Sequence, residues 1–231
     1  MTAVVFKGLN TLNFQEVRMN IVRVPEVLSS IRRAQRLWDD NSEKYFDILN
    51  YIVSDDAVFL GNIKSRNLCK AIIKIGLYHR YIRKYDFPKF LLGDISCDQA
   101  LLNCAGQLEF EKLIKEYITQ DTLQLVKHSE PGVISLTGDY LDEWACFEFN
   151  QSRARFEPKK LGSTSLSGAV EELLEAKEVD KLVNIGPDSL SPELKRQFEM
   201  NTINFVEALD EDPLLDWFWP SLAPLESNVA Q

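Results

Sequence analysis

Two carboxylates, a hydroxyl and a thiol fall within five residues in Asp94-Ile95-Ser96-Cys97-Asp98. Side chains of these types, so closely spaced, could do acid–base or hydrolytic work: Ser96 or Cys97 attacks, and Asp94 or Asp98 moves the proton. Each also has a structural reading. Ser96-Cys97-Asp98-Gln99 has the S-x-x-Q spacing of a capping box, with Ser96 starting a helix, and acids sit well at a helix N-terminus. That pattern favours Ser96 as a cap over Ser96 as a nucleophile. The two histidines, His79 and His128, lie far apart in sequence. Among Cys69, Cys97, Cys104 and Cys146 there is no C-x-x-C pair, so neither a metal site nor a disulfide framework is expected, and the thiols read as reduced and mostly buried.

The flanking residues must position this cluster. From Pro88 to Leu113 the chain reads as a short apolar strand (Phe90–Leu92), a tight turn at Gly93, a buried helix, Gly106 as a stop, and a second helix over Leu108–Leu125. Strand, glycine turn and helix make the layout of a nucleophile elbow. Ile95 has no nucleophilic atom, and a β-branched residue is costly at the positive φ of a strained elbow, so a relaxed turn is expected.

Elsewhere the patterning alternates. Ala3–Phe6 is a strand with a turn at Gly8 and Asn10, and Pro25–Leu37 has helical spacing. A helix is expected from Asn41-Ser42-Glu43, with Tyr45, Phe46, Ile48, Leu49 and Ile52 inward and Ser54-Asp55-Asp56 ending it. Lys64–Tyr85 is the longest periodic segment, and its basic residues read as a solvated face or as a docking strip for an acidic partner or a CoA phosphate. Pro131–Gly138 reads as a strand, Asp139–Phe149 as a helix with Asp142, Glu143 and Glu148 outward, and Gln151–Ser165 as a loop or linker. Leu166–Ala176 is an amphipathic helix, Val179–Ile185 a strand, Ser191-Pro192 a helix start, and Thr202–Ala208 a last strand. Strands alternating with helices predict an α/β three-layer domain with a mostly parallel sheet over residues 1–209, followed by an acidic-aromatic tail over 210–231.

With 231 residues the chain is long enough to bury a real core, and 45% apolar with 26% charged residues is ordinary for a globular protein. A net charge of −9 argues against nucleic acid. No apolar run approaches the roughly 18 residues of a membrane span and no secretory signal opens the chain, so no membrane association and a cytoplasmic location are expected.

The stretch around Gly93 resembles the elbow of the malonyl-CoA:acyl-carrier-protein transacylases, whose pattern is a strand, Gly-His-Ser-Leu-Gly-Glu and then a helix. In an ungapped frame the family's histidine falls on Asp94, its nucleophilic serine on Ile95, its second glycine on Cys97 and its glutamate on Asp98. The family's oxyanion glutamine falls on Leu9, and the arginine that forks onto a malonyl carboxylate falls on Gln120. Asn67-Leu68-Cys69 stands where the family has Gln-Pro-Ala. Val179-Asp-Lys-Leu-Val-Asn-Ile-Gly-Pro187 resembles the family's Val-Asp-x-Phe-Val-Glu-Ile-Gly-Pro, and Pro131–Gly138 its late strand. Thr122–Glu130 is the only chain left for the family's ferredoxin-like subdomain and its histidine loop. The resemblance therefore implies that the subdomain and the general base are absent, with only His128 in the residual connector.

The resemblance implies a three-layer α/β/α acyltransferase-like (hydrolase-like) domain, truncated, with a vestigial elbow at Gly93, Asp94, Ile95, Ser96 and Asp98 and no catalytic residues. Gln120 and Leu9 would stand at degenerate substrate positions, with no cofactor. The implied role is a non-catalytic component of fatty-acid or polyketide synthesis, whose partner is an acyl carrier protein, a synthase component or a second copy. The alternative is an acyltransferase or hydrolase rebuilt around Asp94, Ser96, Cys97 and Asp98.

Overall fold

Val4, Val5 and Phe6 begin the sheet because three successive apolar residues can be buried only where both faces of a strand are covered. In the computed structural model, which describes residues 1–6, 11–85, 87–94, 99–119, 144–163, 166–185 and 204–207, they lie in β1 (Thr2–Phe6) at the sheet's middle. β1 pairs in parallel with β2 (Phe90–Asp94) on one side and with β5 (Lys181–Ile185) on the other. β6 (Asn204–Glu207) adds in parallel to β5. β3 (Trp144–Asn150) and β4 (Arg155–Pro158) complete the other side as antiparallel strands. Among the described residues the sheet is thus six-stranded, in the order β4-β3-β2-β1-β5-β6, and mostly parallel.

Alternate side chains feed two cores. Val4, Phe6, Leu91, Val183 and Ile185 face a thick helical layer, while Ala3, Val5, Phe90, Leu92 and Leu182 face Ala169, Val170 and Leu173 of α8 (Leu166–Glu175). The thick layer holds α1 (Gln15–Ile21), α2 (Pro25–Asn41), α3 (Ile48–Ile52), α4 (Asp56–Gly61), α5 (Ile63–Lys84), α6 (Ala100–Cys104) and α7 (Phe110–Thr119). Helices on both faces of the sheet make the three-layer α/β arrangement expected from the alternating pattern.

α5 is the spine of that layer. Its 22 residues span about 33 Å, against about 17 Å for a five-residue strand. α2 runs antiparallel to it. At the end nearer the amino edge of the sheet, Glu26 of α2 accepts from Arg80 at 3.2 Å and from Arg83 at 3.0 Å on α5. The helices touch where Gly76 leaves room for Val27.

Three local expectations are corrected. The segment ending at Phe149 contributes a strand, not a helix: β3 pairs with β2 from Phe90↔Glu148 to Asp94↔Trp144. Glu148 lies across the ladder from Lys89 and Lys159, at 3.4 and 3.3 Å, instead of on an outer helical face. Residues 151–165 are not all linker, because Arg155–Pro158 forms β4, reached through Ala154 at φ 49°. The helix expected from Asn41 begins only at Ile48, where the Asp47 side chain accepts from the Asn50 N–H. Tyr45, expected inward, is 90% exposed.

Candidate functional site at the carboxyl edge of the sheet

In open parallel sheets ligands bind beyond the carboxyl ends of the strands, near the point where strand order reverses. Here that point is β1, since the chain passes to β2 on one side and later to β5 on the other. The register sets Phe6 level with both Gly93 and Ile185. Phe6, Asp94 and Ile185 thus end their strands at one edge, and residues 7–10, 95–98 and 186–190, which follow them in the chain, lie outside the described residues.

Gly93 is fixed by contact. A Cβ built there would collide with the Phe6 carbonyl oxygen and stand 2.6 Å from Phe6 Cβ. No side chain fits, so the close approach of β1 and β2 needs glycine. One residue on, Asp94 ends β2 opposite Trp144 of β3. Ile95, Ser96, Cys97 and Asp98 lie outside the described residues, as do Leu9, Gln120 and His128. So do the strand expected at Pro131–Gly138, the helix start at Ser191 and the tail over 210–231. The helix after the turn starts at Ala100, with Gln99 as its uncapped N-cap residue. Gln99 thus stands just before this helix, and Ser96, the other member of the expected capping box, lies outside the described residues. The stop at Gly106 is as expected. At φ 72° Gly106 closes a Schellman turn: its N–H donates to Asn103 O at 3.0 Å, and Gln107 N–H to Leu102 O at 2.9 Å.

α5 packs beside the carboxyl end of β1. The Tyr78 ring lies 5.7 Å from Phe6, and Tyr85 near the other end of α5 lies 5.2 Å from Lys181 Nζ at the start of β5. The helix therefore runs opposite to the strands, and its first half projects past the carboxyl edge. Residues four apart share a helix face, so Lys74 lies one turn before Tyr78 on the same row of α5. Lys74 is only 2% exposed. The basic residues of α5 are thus not one solvated face: Lys74 is interior, and Arg80 is held by Glu26. The signal was present in the sequence, because Lys74 is the one charge between Leu68 and Leu77 apart from Lys70 in an otherwise apolar run. Asn184 of β5 is also buried, next to Ile185 at the same edge, and stands where the transacylase pattern has glutamate.

Two of the described cysteines are quiet. Burial pushes the Cys69 thiol well above its ordinary value and the Cys146 thiol up to about 12, so neither forms a thiolate near neutrality. His79, the one histidine among the described residues, has Arg33 and Glu26 of α2 as its charged neighbours, away from the strand ends. No group of three or more His, Cys, Asp or Glu among the described residues could hold a metal ion.

The same architecture occurs in two solved structures. The malonyl-CoA:ACP transacylase of Synechocystis sp. PCC 6803 superposes with a TM-score of 0.56 at 11% identity, over 89% of this chain and 96% of that one. Its fold is like that of a malonyl-CoA:ACP transacylase. MCAT from Streptococcus pneumoniae gives a TM-score of 0.52 at 13% identity, over 90% of this chain and 95% of that one. No family model and no curated protein matches the sequence. At such low identity the likeness lies in the fold, and the acyltransferase-like architecture expected from the Gly93 and Val179–Pro187 motifs is what the chain has. No described helix is long and apolar enough to cross a membrane.

Proposed function

We propose that this chain is a catalytically degenerate acyltransferase-like protein that works by binding. One observation carries the reading: β2 ends at Asp94, one residue past the Gly93 that is level with the carboxyl end of β1, and the residue that follows in the chain is Ile95. A transacylase needs a nucleophile there, a base to activate it and donors for the oxyanion. Ile95 has no atom to attack with, Leu9 has none to donate, and the segment that would bring a histidine has shrunk to Thr122–Glu130.

Fold is kept without its chemistry, and in such a case function must be argued from the site. The place that remains for a ligand or partner is the carboxyl edge of the sheet. The two neighbours act with malonyl-CoA and an acyl carrier protein or carry that enzyme's abbreviation, and this supports an acyl carrier protein, a synthase component or a second copy as the partner. Loss of the ferredoxin-like subdomain would open that edge to the partner, with the Leu214–Leu222 stretch of the tail as the competing cover. A cytoplasmic pathway of fatty-acid or polyketide synthesis is the setting this implies. The second reading, an enzyme rebuilt around Asp94, Ser96, Cys97 and Asp98, is favoured by the density of reactive side chains in that turn.

Intact-mass measurement after incubation with malonyl-CoA or acetyl-CoA separates the two. The binding reading expects no adduct. A malonyl or acetyl mass shift lost in Ser96→Ala or Cys97→Ala would establish the rebuilt enzyme instead.

A further inference from the structure

The helical layer carries charge that the fold leaves unused. α2 lies against α5 and α7 and leaves Ser29, Arg32, Arg33 and Arg36 exposed to solvent. From Pro25 to Trp38 its one acid is Glu26, and from Gly76 to Lys84 α5 has Arg80, Arg83 and Lys84 with no acid. The two stretches hold six cationic side chains and one carboxylate, in a chain whose net charge is −9. Such an excess on one seam of an acidic protein creates a local field that draws anions.

The seam between α2 and α5 gathers these groups. The helices close on each other at Gly76 and Val27, and Glu26 takes up Arg80 and Arg83 there. Two guanidiniums share that one carboxylate, and the Arg83 side chain remains 74% exposed. About two turns further along α2, Arg33 neighbours His79 across the seam, and its guanidinium lies 4.7 Å from the Phe110 ring. Glu111, which follows Phe110 on α7, is taken by Lys115 at 2.6 Å. Among the described residues, Arg32, Arg33 and Arg36 have no carboxylate partner.

Length decides what kind of anion fits. From Glu26 to Arg36 is about 15 Å along α2, longer than a single phosphate group. Arg32 and Arg36 stand one turn apart on a common face, the spacing at which another helix presents carboxylates four residues apart. We infer that the α2–α5 seam docks an acidic helix of a partner protein, whose carboxylates meet Arg32, Arg33 and Arg36. A nucleic acid is disfavoured, because the rest of the chain is strongly acidic and repels its phosphates. The inference does not rest on the reading of the strand ends.

The probe is an alanine-based helix of about 15 residues with glutamates one turn apart, beside a twin carrying glutamines. Each is titrated into the full chain while amide ¹H–¹⁵N shifts are followed. Saturable shifts at Ser29, Arg33 and His79 are expected with the glutamate peptide, and binding about tenfold weaker with its twin. Exposed ion pairs are each worth little, so Arg33→Gln should weaken binding about two- to threefold. Changing Arg32, Arg33 and Arg36 together to glutamine should weaken it about tenfold. Arg153→Gln, an equal loss of charge on the β3–β4 hairpin, should leave the affinity unchanged. All four positions are exposed, so the variants keep the fold. The proposal is overturned by an absence of saturable shifts at these residues, by equal affinity for the twin, or by equal effects of Arg33→Gln and Arg153→Gln. Tighter binding of a single-stranded oligothymidylate at the same residues would make the face a nucleic-acid site instead. A dimer dissociated by Arg33→Gln would assign the seam to a second copy. Shifts on α2 caused by Asp210→Asn and Asp212→Asn without any peptide would assign it to the chain's own tail.

Discussion

Gly76 of α5 and Val27 of α2 are in backbone contact: a Cβ on Gly76 would stand 2.5 Å from Val27 Cα. Glycine is the weakest common helix former after proline, costing about 1 kcal/mol against alanine, yet it sits mid-helix here because the crossing leaves no room for more.

The two effects oppose each other in Gly76→Ala. Propensity would add about 1 kcal/mol, while the clash forces apart two backbones that cannot rotate away, and overpacking of this kind costs about 1–3 kcal/mol or more. With a contact this short the clash wins. A denaturant midpoint lowered by a net of about 1–2 kcal/mol is expected. An unchanged or raised midpoint would show that the helices can slide.

Arg18 is buried and donates to three carbonyls: Ile52 at 2.6 Å, Leu12 at 2.8 Å and Ser54 at 2.5 Å. Its guanidinium also lies 4.2 Å from the Phe59 ring and 3.0 Å from Asp56. Arg18→Met keeps the stem but leaves the carbonyls without donors, and breaking a buried ionic network in this way costs about 3–5 kcal/mol. Arg18→Lys should recover little, since an ammonium does not reproduce the planar fork. Thermal melts of the two variants check this. A lysine variant as stable as the parent would show that the fork geometry is unimportant.

Glu26 gives a sign for acid unfolding. Burial pushes its carboxyl pKa up, but a backbone hydrogen bond, Arg83 and Arg80 together outweigh burial and hold it below the ordinary value. A group with a depressed folded pKa contributes stability above its unfolded value, near 4.5, and loses it as the pH falls through the folded value. Stability measured against pH should therefore fall below about pH 4.5 with a component that Glu26→Gln abolishes. If the parent and Glu26→Gln differ by the same amount at pH 3 as at pH 7, the pair contributes nothing through ionisation.

Ile95→Ser is expected to leave the protein unable to take an acyl group from malonyl-CoA, because a serine without base or oxyanion donors is a poor nucleophile. Intact mass reads the result directly. Acylation by this single change would reveal a base that the binding reading denies, with His128 first among candidates.

Strands and helices buried on one or both faces were legible because burial writes its period into the sequence. The short β-branched runs Ala3–Phe6 and Lys181–Ile185, and the long row of α5, are examples. Trp144–Asn150 was not legible. Its acids fit a helix face as well as a strand, and only pairing with β2, remote in sequence, decides between them. The start of α3 was misplaced for a local reason: Asp47 is the better cap, and Ser42 bonds instead around Lys44. At the strand ends the sequence singled out Gly93, though as a tight turn and not as the strand residue it is, and the interior place of Lys74 was signalled only by the apolar run around it.

Among the described residues the sheet order stops at β4, and that edge is poorly suited to growth. Pro158 lacks an N–H to offer a further strand, and Arg155 and Glu157 place opposite charges along it. A neighbouring molecule arriving strand-first would lose a hydrogen bond and have to desolvate an ion pair. Edge-to-edge stacking into ribbons is thus disfavoured on this side of the molecule, and a crowded solution of the protein gains protection against fibrous aggregation from one short strand of a hairpin.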